Sequence, residues 1–357
     1  MRTINESDIS NLKKKGFINI KNFFDKDDIT KLSSEADKIY PNTKQDTQSN
    51  SEKINSKKIL GDETTRVNYL PKGAYNQGTF GAPILGCSKV IDSFMEKLFN
   101  NKDFEKVRES LAGINSKIFT FHYRVLNPEA KRLMLHQDDF CQLSFQIPLN
   151  DIRENDSSTC FVEGSHLSKF VLLDKLFGSI SKFLPKFLIK LCYKKYTAEI
   201  GDLGIFLNKT YHGTDINNSP NSSKSIFIAI NAEGGHHHKK IYDAPLKTLY
   251  NEDFKQNVGE KIYNLLFGTD YLIKFKNKYF TLQKENINPT KIISLAKTGP
   301  HRDVMCLDNT FQNNKNFVNQ IIFSNNEKVS IKTNVVINYI KLIIITKNLL
   351  RKIIKFK

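Results

Sequence analysis

The sequence predicts an α+β protein, a β-rich middle flanked by helices. Residues 88–112 place Val90, Ile91, Phe94, Met95 and Leu98 at helical spacing. Lys117–Leu126 (KIFTFHYRVL) and Cys141–Pro148 (CQLSFQIP) are rich in β-branched and aromatic residues bounded by turn formers, as strands are. With 26 Phe and 13 Tyr in 357 residues, the chain carries enough apolar bulk for a sizeable core.

The elements follow in order. Residues 1–40 are expected to be mostly helical, with Ile9 to Lys13 leading into Lys15-Gly16-Phe17-Ile18-Asn19-Ile20 and a helix from Phe23 to Ile39. Residues 41–58 (PNTKQDTQSNSEKINSKK) are polar and without a core pattern, and read as a loop. A helix over 88–112 precedes the β-rich part, which runs from Lys117 to about Asn231. It is interrupted after Ser165-His166 by a helical insertion at about 167–197. There Lys182, Lys186 and Lys190 share one helical face, while Phe183, Leu184, Phe187, Leu188 and Leu191 cover the other side. Such a basic amphipathic helix can lie on an anionic membrane surface or close over a site as a lid, and both readings stand. Gly201-Asp202 then reads as a tight turn into the apolar strand Leu203 to Leu207, with His212 just past its end. A first domain is expected to span residues 1–243, and residues 244–357 form a helical, basic C-terminal extension of unassigned role. Lys328 to Lys357 holds eight Lys or Arg and no acid. Its apolar run, Val335 to Leu350, is broken by Asn338, Lys341, Lys347 and Asn348, short of the ~20 residues a membrane span needs.

The net charge of +17 favours anionic partners: acidic lipid, phosphorylated or CoA-linked substrates, nucleic acid. Nucleic acid ranks last, because the basic stretches are aliphatic and no recognised module is present. Five cysteines without a CxxC pair or an even framework, and a polar start at Met1 to Asp8, point to a reducing cytoplasm. Peripheral membrane contact through the basic segments is the alternative placement. Nothing in the sequence reports on oligomeric state.

The chemistry is carried by Leu135-His136-Gln137-Asp138-Asp139 together with Tyr211-His212-Gly213. On a strand, residues i and i+2 share a face, so His136 and Asp138 can converge on one metal while Gln137 points away. His212 would be brought alongside by the fold. Two histidines and one carboxylate form the facial set that holds non-haem Fe(II) with positions open for a co-substrate and O2. A second HxD pair, His301-Arg302-Asp303, has no histidine after it and follows the loop signature Thr298-Gly299-Pro300, so it reads as structural. His236-His237-His238 reads as a loop, since consecutive strand residues cannot all face one ion. No phosphate-binding GxGxxG or GxxxxGK[ST], zinc-type Cys/His pattern or GxSxG occurs.

Val162-Glu163-Gly164-Ser165-His166 resembles the "PGSH" turn of the phytanoyl-CoA dioxygenase family, with Glu163 where proline is usual. Gly201-Asp202 through His212-Gly213 resembles that family's "GD…HG" segment. The resemblance covers roughly residues 5–235, in pieces. It implies a double-stranded β-helix (jelly-roll, cupin-like) core using Fe(II), 2-oxoglutarate and O2 to hydroxylate a small, lipid-like or anionic substrate. It also implies a cation after the distal histidine for the 2-oxoglutarate carboxylate. The family's arginine is missing there, and Lys224, one position late, is the candidate. Thr214 stands where a co-substrate-holding hydroxyl is common, and Tyr123 and Asn127 are further candidates for the pocket. Related halogenases replace the carboxylate ligand with a small residue, so Asp138 argues for hydroxylation. The competing reading is a decayed jelly-roll module that binds an anionic membrane or glycolipid surface, motivated by the missing arginine and the basic segments.

Overall fold

The computed structural model describes residues 3–45, 74–85, 87–114, 116–133, 135–138, 142–167, 193–232, 259–262, 265, 270–275, 278–283 and 305–308. The insertion helix, both histidine clusters near 236 and 301, and the basic C-terminal run lie outside these residues, apart from the flanks of the insertion.

Helix α1 (Glu6–Lys15) opens on a capping box between Asn5 and Asp8 and ends at Gly16 in the left-handed region. Strand β1 (Phe17–Ile20) follows, in a region expected to be mostly helical. The strand wins because it pairs antiparallel with β8 (Leu203–Leu207), which supplies tertiary partners a short isolated helix would lack. Helix α2 (Lys26–Ile39) is capped by Asp25. The single helix expected over 88–112 is two, α3 (Lys89–Phe99) and α4 (Lys102–Ala112), because Asn100 ends the first and Asn101 caps the second by accepting from the Phe104 amide.

The strands form two sheets around the site. The larger has the order β1-β8-β5-β10-β4-β3-β2, where β2 is Ala74–Asn76, β3 Thr79–Pro83, β4 Lys117–Leu126, β5 Gln142–Pro148 and β10 Ser223–Asn231. The smaller has the order β7-β6-β9, where β6 is Thr159–Val162, β7 Tyr193–Lys195 and β9 His212–Thr214. Every described pairing is antiparallel. Alternation sorts the large sheet's side chains. Ile226, Ile228 and Ile230 of β10 and Phe121, Tyr123 and Val125 of β4 join one core with α2, α3 and α4. The opposite face turns toward the small sheet, where Phe161, Tyr196 and Phe206 cluster. Ile262 and Leu265 also join the main core, so packing reaches past residue 243. The described part of 244–357 includes a three-stranded antiparallel sheet of β11 (Asp270–Phe275), β12 (Lys278–Gln283) and β13 (Met305–Asp308), in a stretch expected to be helical.

The turn after β6 is a structural clamp. Gly164 takes a positive φ and donates to the Lys15 carbonyl. The Ser165 hydroxyl accepts from the Tyr211 amide, and His166 Nε2 donates to the Lys13 carbonyl at 2.7 Å. His166 is buried and its Nδ1 has no partner among the described residues. Burial lowers its pKa to about 4 and Lys209 pushes the same way, against the Lys13 hydrogen bond. The unfolded imidazole takes a proton near 6.5, the folded one only near 4, so the unfolded state binds more protons between these values. Stability is therefore unaffected by this group above pH 6.5 and falls as pH drops through the window, by on the order of 3 kcal/mol. Urea midpoints measured from pH 7 to 4 should show this fall, and His166→Asn should make it shallower, leaving the share of His122.

Candidate metal centre

Residues 135–138 cross the edge of the small sheet. His136 and His212 exchange backbone hydrogen bonds, with N to O distances of 2.8 and 2.9 Å. That pairing sets their rings side by side, centroids 4.5 Å apart. The Asp138 amide donates to the Asn208 carbonyl at 3.1 Å, which brings Asp138 to the same side two residues on. Gln137 turns the other way and donates to the Lys209 carbonyl.

Nε2 of His136 lies 3.5 Å from Asp138 Oδ1, and Nε2 of His212 lies 3.3 Å from Asp138 Oδ2. One ligand atom from each of the three residues lies within 4.8 Å of the others. The supporting contacts fit a metal. His212 Nδ1 donates to the Thr210 carbonyl at 2.8 Å, which leaves the Nε2 lone pair free for a cation. Asn208 Nδ2 donates to Asp138 Oδ2 at 3.0 Å and is itself held by the Ser144 hydroxyl at 2.7 Å. Burial raises the Asp138 pKa, but a proton on His212 Nε2, in the place a metal would take, together with His136 and Asn208 outweighs it and holds the carboxyl at about 2. Two imidazole nitrogens and one carboxylate oxygen, with cavity on the remaining side, suit a first-row divalent metal that keeps open positions.

That cavity, about 290 Å³, lies between the two sheets. The large sheet contributes Thr79 and Gly81 (β3), His122 and Arg124 (β4), Ser144 (β5), Phe206 (β8), and Phe227 and Ala229 (β10). Thr159 and Gly213 of the small sheet, with Leu133 and Asn208, line the rest beside the triad. Among these residues Arg124 is the one Lys or Arg. Its guanidinium carbon sits 5.4 Å from the centroid of the Phe227 ring. Burial lowers the Arg124 pKa and the Asp138 charge works against that. Burial, then Arg124, lower the His122 pKa to about 4, so this imidazole is neutral at pH 7.

The four residues suggested for co-substrate contact are not among the cavity's lining. Lys224 turns to the helix face of β10, where its Nζ meets Asp37 of α2 at 2.6 and 2.8 Å. The reason is parity: Phe227 and Ala229 face the cavity, so an even-numbered neighbour faces away. Tyr123 is likewise on the outer face of β4 and donates to Asp37 at 2.7 Å. Asn127 ties the strand end to Thr43. The Thr214 hydroxyl accepts from the Leu133 amide at 3.0 Å. Cavity-lining residues that the sequence reading does not single out are Arg124, His122 and Asn208. For the first two a signal existed, since Phe121, Tyr123 and Val125 alternate with His122 and Arg124.

No known family profile and no curated protein matches this chain. Solved structures similar to it include HygX from Streptomyces hygroscopicus with nickel and 2-oxoglutarate bound (13% identity, TM-score 0.46, 64% of this chain and 88% of that one). Others are the epimerase SnoN from nogalamycin biosynthesis, described as non-heme and alpha ketoglutarate dependent (13%, 0.43, 64% and 82%), and EctD from S. alaskensis with 2-oxoglutarate and 5-hydroxyectoine (14%, 0.45, 65% and 78%). Likenesses this remote leave the site's own geometry to carry the reading. Among the described residues no helix is long and apolar enough to cross a membrane.

Proposed function

We propose that the chain is an Fe(II)- and 2-oxoglutarate-dependent oxygenase that hydroxylates a C–H bond of a small molecule. The observation that carries this is the convergence of His136, Asp138 and His212 at one end of a cavity between two sheets. The strand order supports a double-stranded β-helix. β8-β5-β10-β4 form one four-stranded layer, and β7-β6-β9 with the His136 bridge form the other. Phytanoyl-CoA dioxygenase-like enzymes share this plan.

His136, Asp138 and His212 would hold the iron, which with the bound 2-oxo acid supplies O2-dependent oxidation of the C–H bond. The balance is substrate R–H, O2 and 2-oxoglutarate giving R–OH, succinate and CO2. The protein positions the reactants and keeps water out. Thr210 fixes the tautomer of His212, and Asn208 orients the Asp138 carboxylate. Phe206, Phe227 and Ala229 give the cavity apolar walls that exclude water, and half-exposed Leu133 forms part of its rim. Arg124 answers one motive for the decayed-module reading, the missing arginine, since a cation does line the cavity.

The test is succinate release from 2-oxoglutarate by the purified protein with and without Fe(II). Succinate is expected only with iron and O2, and its loss in His136→Ala would tie it to this site. Release that survives in His136→Ala, or none from wild type over a broad set of small-molecule substrates, would sink the proposal.

A further inference from the structure

From the placement of charge in the cavity, we infer that Arg124 of β4 anchors the remote carboxylate of the 2-oxo acid. The anchor would thus have moved to β4 from the neighbouring strand β10, where the sequence resemblance places it. This rests on the oxygenase reading above.

On β10, the cavity-facing row is Ser223, Ser225, Phe227 and Ala229, and it holds no cation. Ser225 is already bonded, since Gln146 donates to its hydroxyl at 3.1 Å and Thr159 in turn donates to Gln146 at 2.9 Å. Directly across from Ser225 in the β4–β10 register stands Arg124. A guanidinium at that position reaches the space that an arginine at 225 would fill, from one strand over. β4 places its side chain in the cavity by alternation, because Tyr123 and Val125 go to the core.

The state of Arg124 supports a ligand role. Arg124 is only partly exposed, at the cavity wall, where a cation gains from an anionic partner. Among the described residues its guanidinium lies against the Phe227 ring and feels the Asp138 charge, and no hydrogen bond of its N–H fork to these residues is made. Lys224, the cation of β10, is committed to Asp37. The triad sits in the same cavity. A 2-oxo dicarboxylic acid spans such a site: the keto-acid end chelates the metal and the far carboxylate pairs with the fork. A monocarboxylic 2-oxo acid would satisfy only the metal end.

Calorimetry on Mn(II)-loaded full-length protein under argon tests this, with 2-oxoglutarate and with pyruvate, which lacks the far carboxylate. Wild type is expected to prefer 2-oxoglutarate. In Arg124→Gln that preference should collapse by about 10-fold or more, the loss of hydrogen bonds to a charged partner, while pyruvate and Mn(II) affinities stay as in wild type. Arg124→Lys should recover part of the preference through charge alone. Lys224→Ala should leave it intact. Retention of the full preference in Arg124→Gln, or its loss in Lys224→Ala, would overturn the inference while leaving the oxygenase reading standing. Wild type that binds Mn(II) but neither acid would overturn both. Unchanged Mn(II) affinity in the Arg124 variants reports an intact fold.

Discussion

Asp138→Ala is expected to lower divalent-metal affinity by more than about 100-fold and to remove turnover with it. Changes one shell out from a metal typically cost 10–100-fold, and Asp138 would be a ligand in its own right. Among the described residues it is the one carboxylate of the candidate triad. Without it two neutral imidazoles remain, a set with no charge to offset the cation. The contacts around Asp138 predict a graded series. Asn208→Ala removes the hydrogen bond to Oδ2 but leaves all three ligands, so a loss of about 10–100-fold is expected. Ser144→Ala acts through Asn208 and should cost less than that. Equilibrium dialysis against Mn(II) reads all three variants. Equal losses in the series would mean that Asn208 does not act by orienting Asp138. An unchanged affinity in Asp138→Ala would remove the metal centre itself.

The three residues that the structure brings together could be picked from the sequence, whereas the facing of the residues around them could not, and strand periodicity explains both. HxD is a local pattern: its spacing of two is the strand repeat, so it survives without knowledge of tertiary partners. His212 was found because the apolar run Leu203 to Leu207 ends just before it. Strand β4 was also legible, with bounds that match the expected Lys117–Leu126. Its facing was the harder part. Tyr123 and Lys224 each stand one residue from a position that faces the cavity, and in a strand one residue reverses the face. Which face of β4 meets the helices depends on α2, α3 and α4, elements far away in sequence. The placement of β1 was opaque for the same reason: four residues after a helix become a strand only because β8 lies alongside. The cue that was overlooked is chemical. A buried strand carrying His and Arg at alternate positions can afford them only where a cavity or ligand meets them.

Gly16→Ala should destabilise the fold by roughly 3 kcal/mol and weaken metal binding as a secondary effect. Gly16 ends α1 at φ +84, a conformation that costs an L-residue about 1–2 kcal/mol. Space adds to the penalty. A Cβ at this position would stand 2.2 Å from Thr210 Oγ1 and 2.6 Å from His166 Nδ1. Both neighbours are fully buried and committed: Thr210 donates to the Gly16 carbonyl at 3.1 Å, and His166 holds the Lys13 carbonyl. Neither can withdraw without breaking a buried hydrogen bond, at about 1–3 kcal/mol. The Gly16 carbonyl also accepts from the Leu207 amide at 2.9 Å, so the end of α1 is sewn to the segment that delivers His212. Displacing Thr210 moves the carbonyl that fixes the His212 tautomer. Chemical denaturation should therefore show a lower midpoint with an unchanged slope, and metal affinity should drop even where the variant is fully folded. A companion variant separates strain from the coupling: Thr210→Ser keeps the hydroxyl and should leave metal affinity near wild type. Loss of stability in Gly16→Ala with no change in metal affinity would show that the clamp supports the fold alone and does not set the metal ligand.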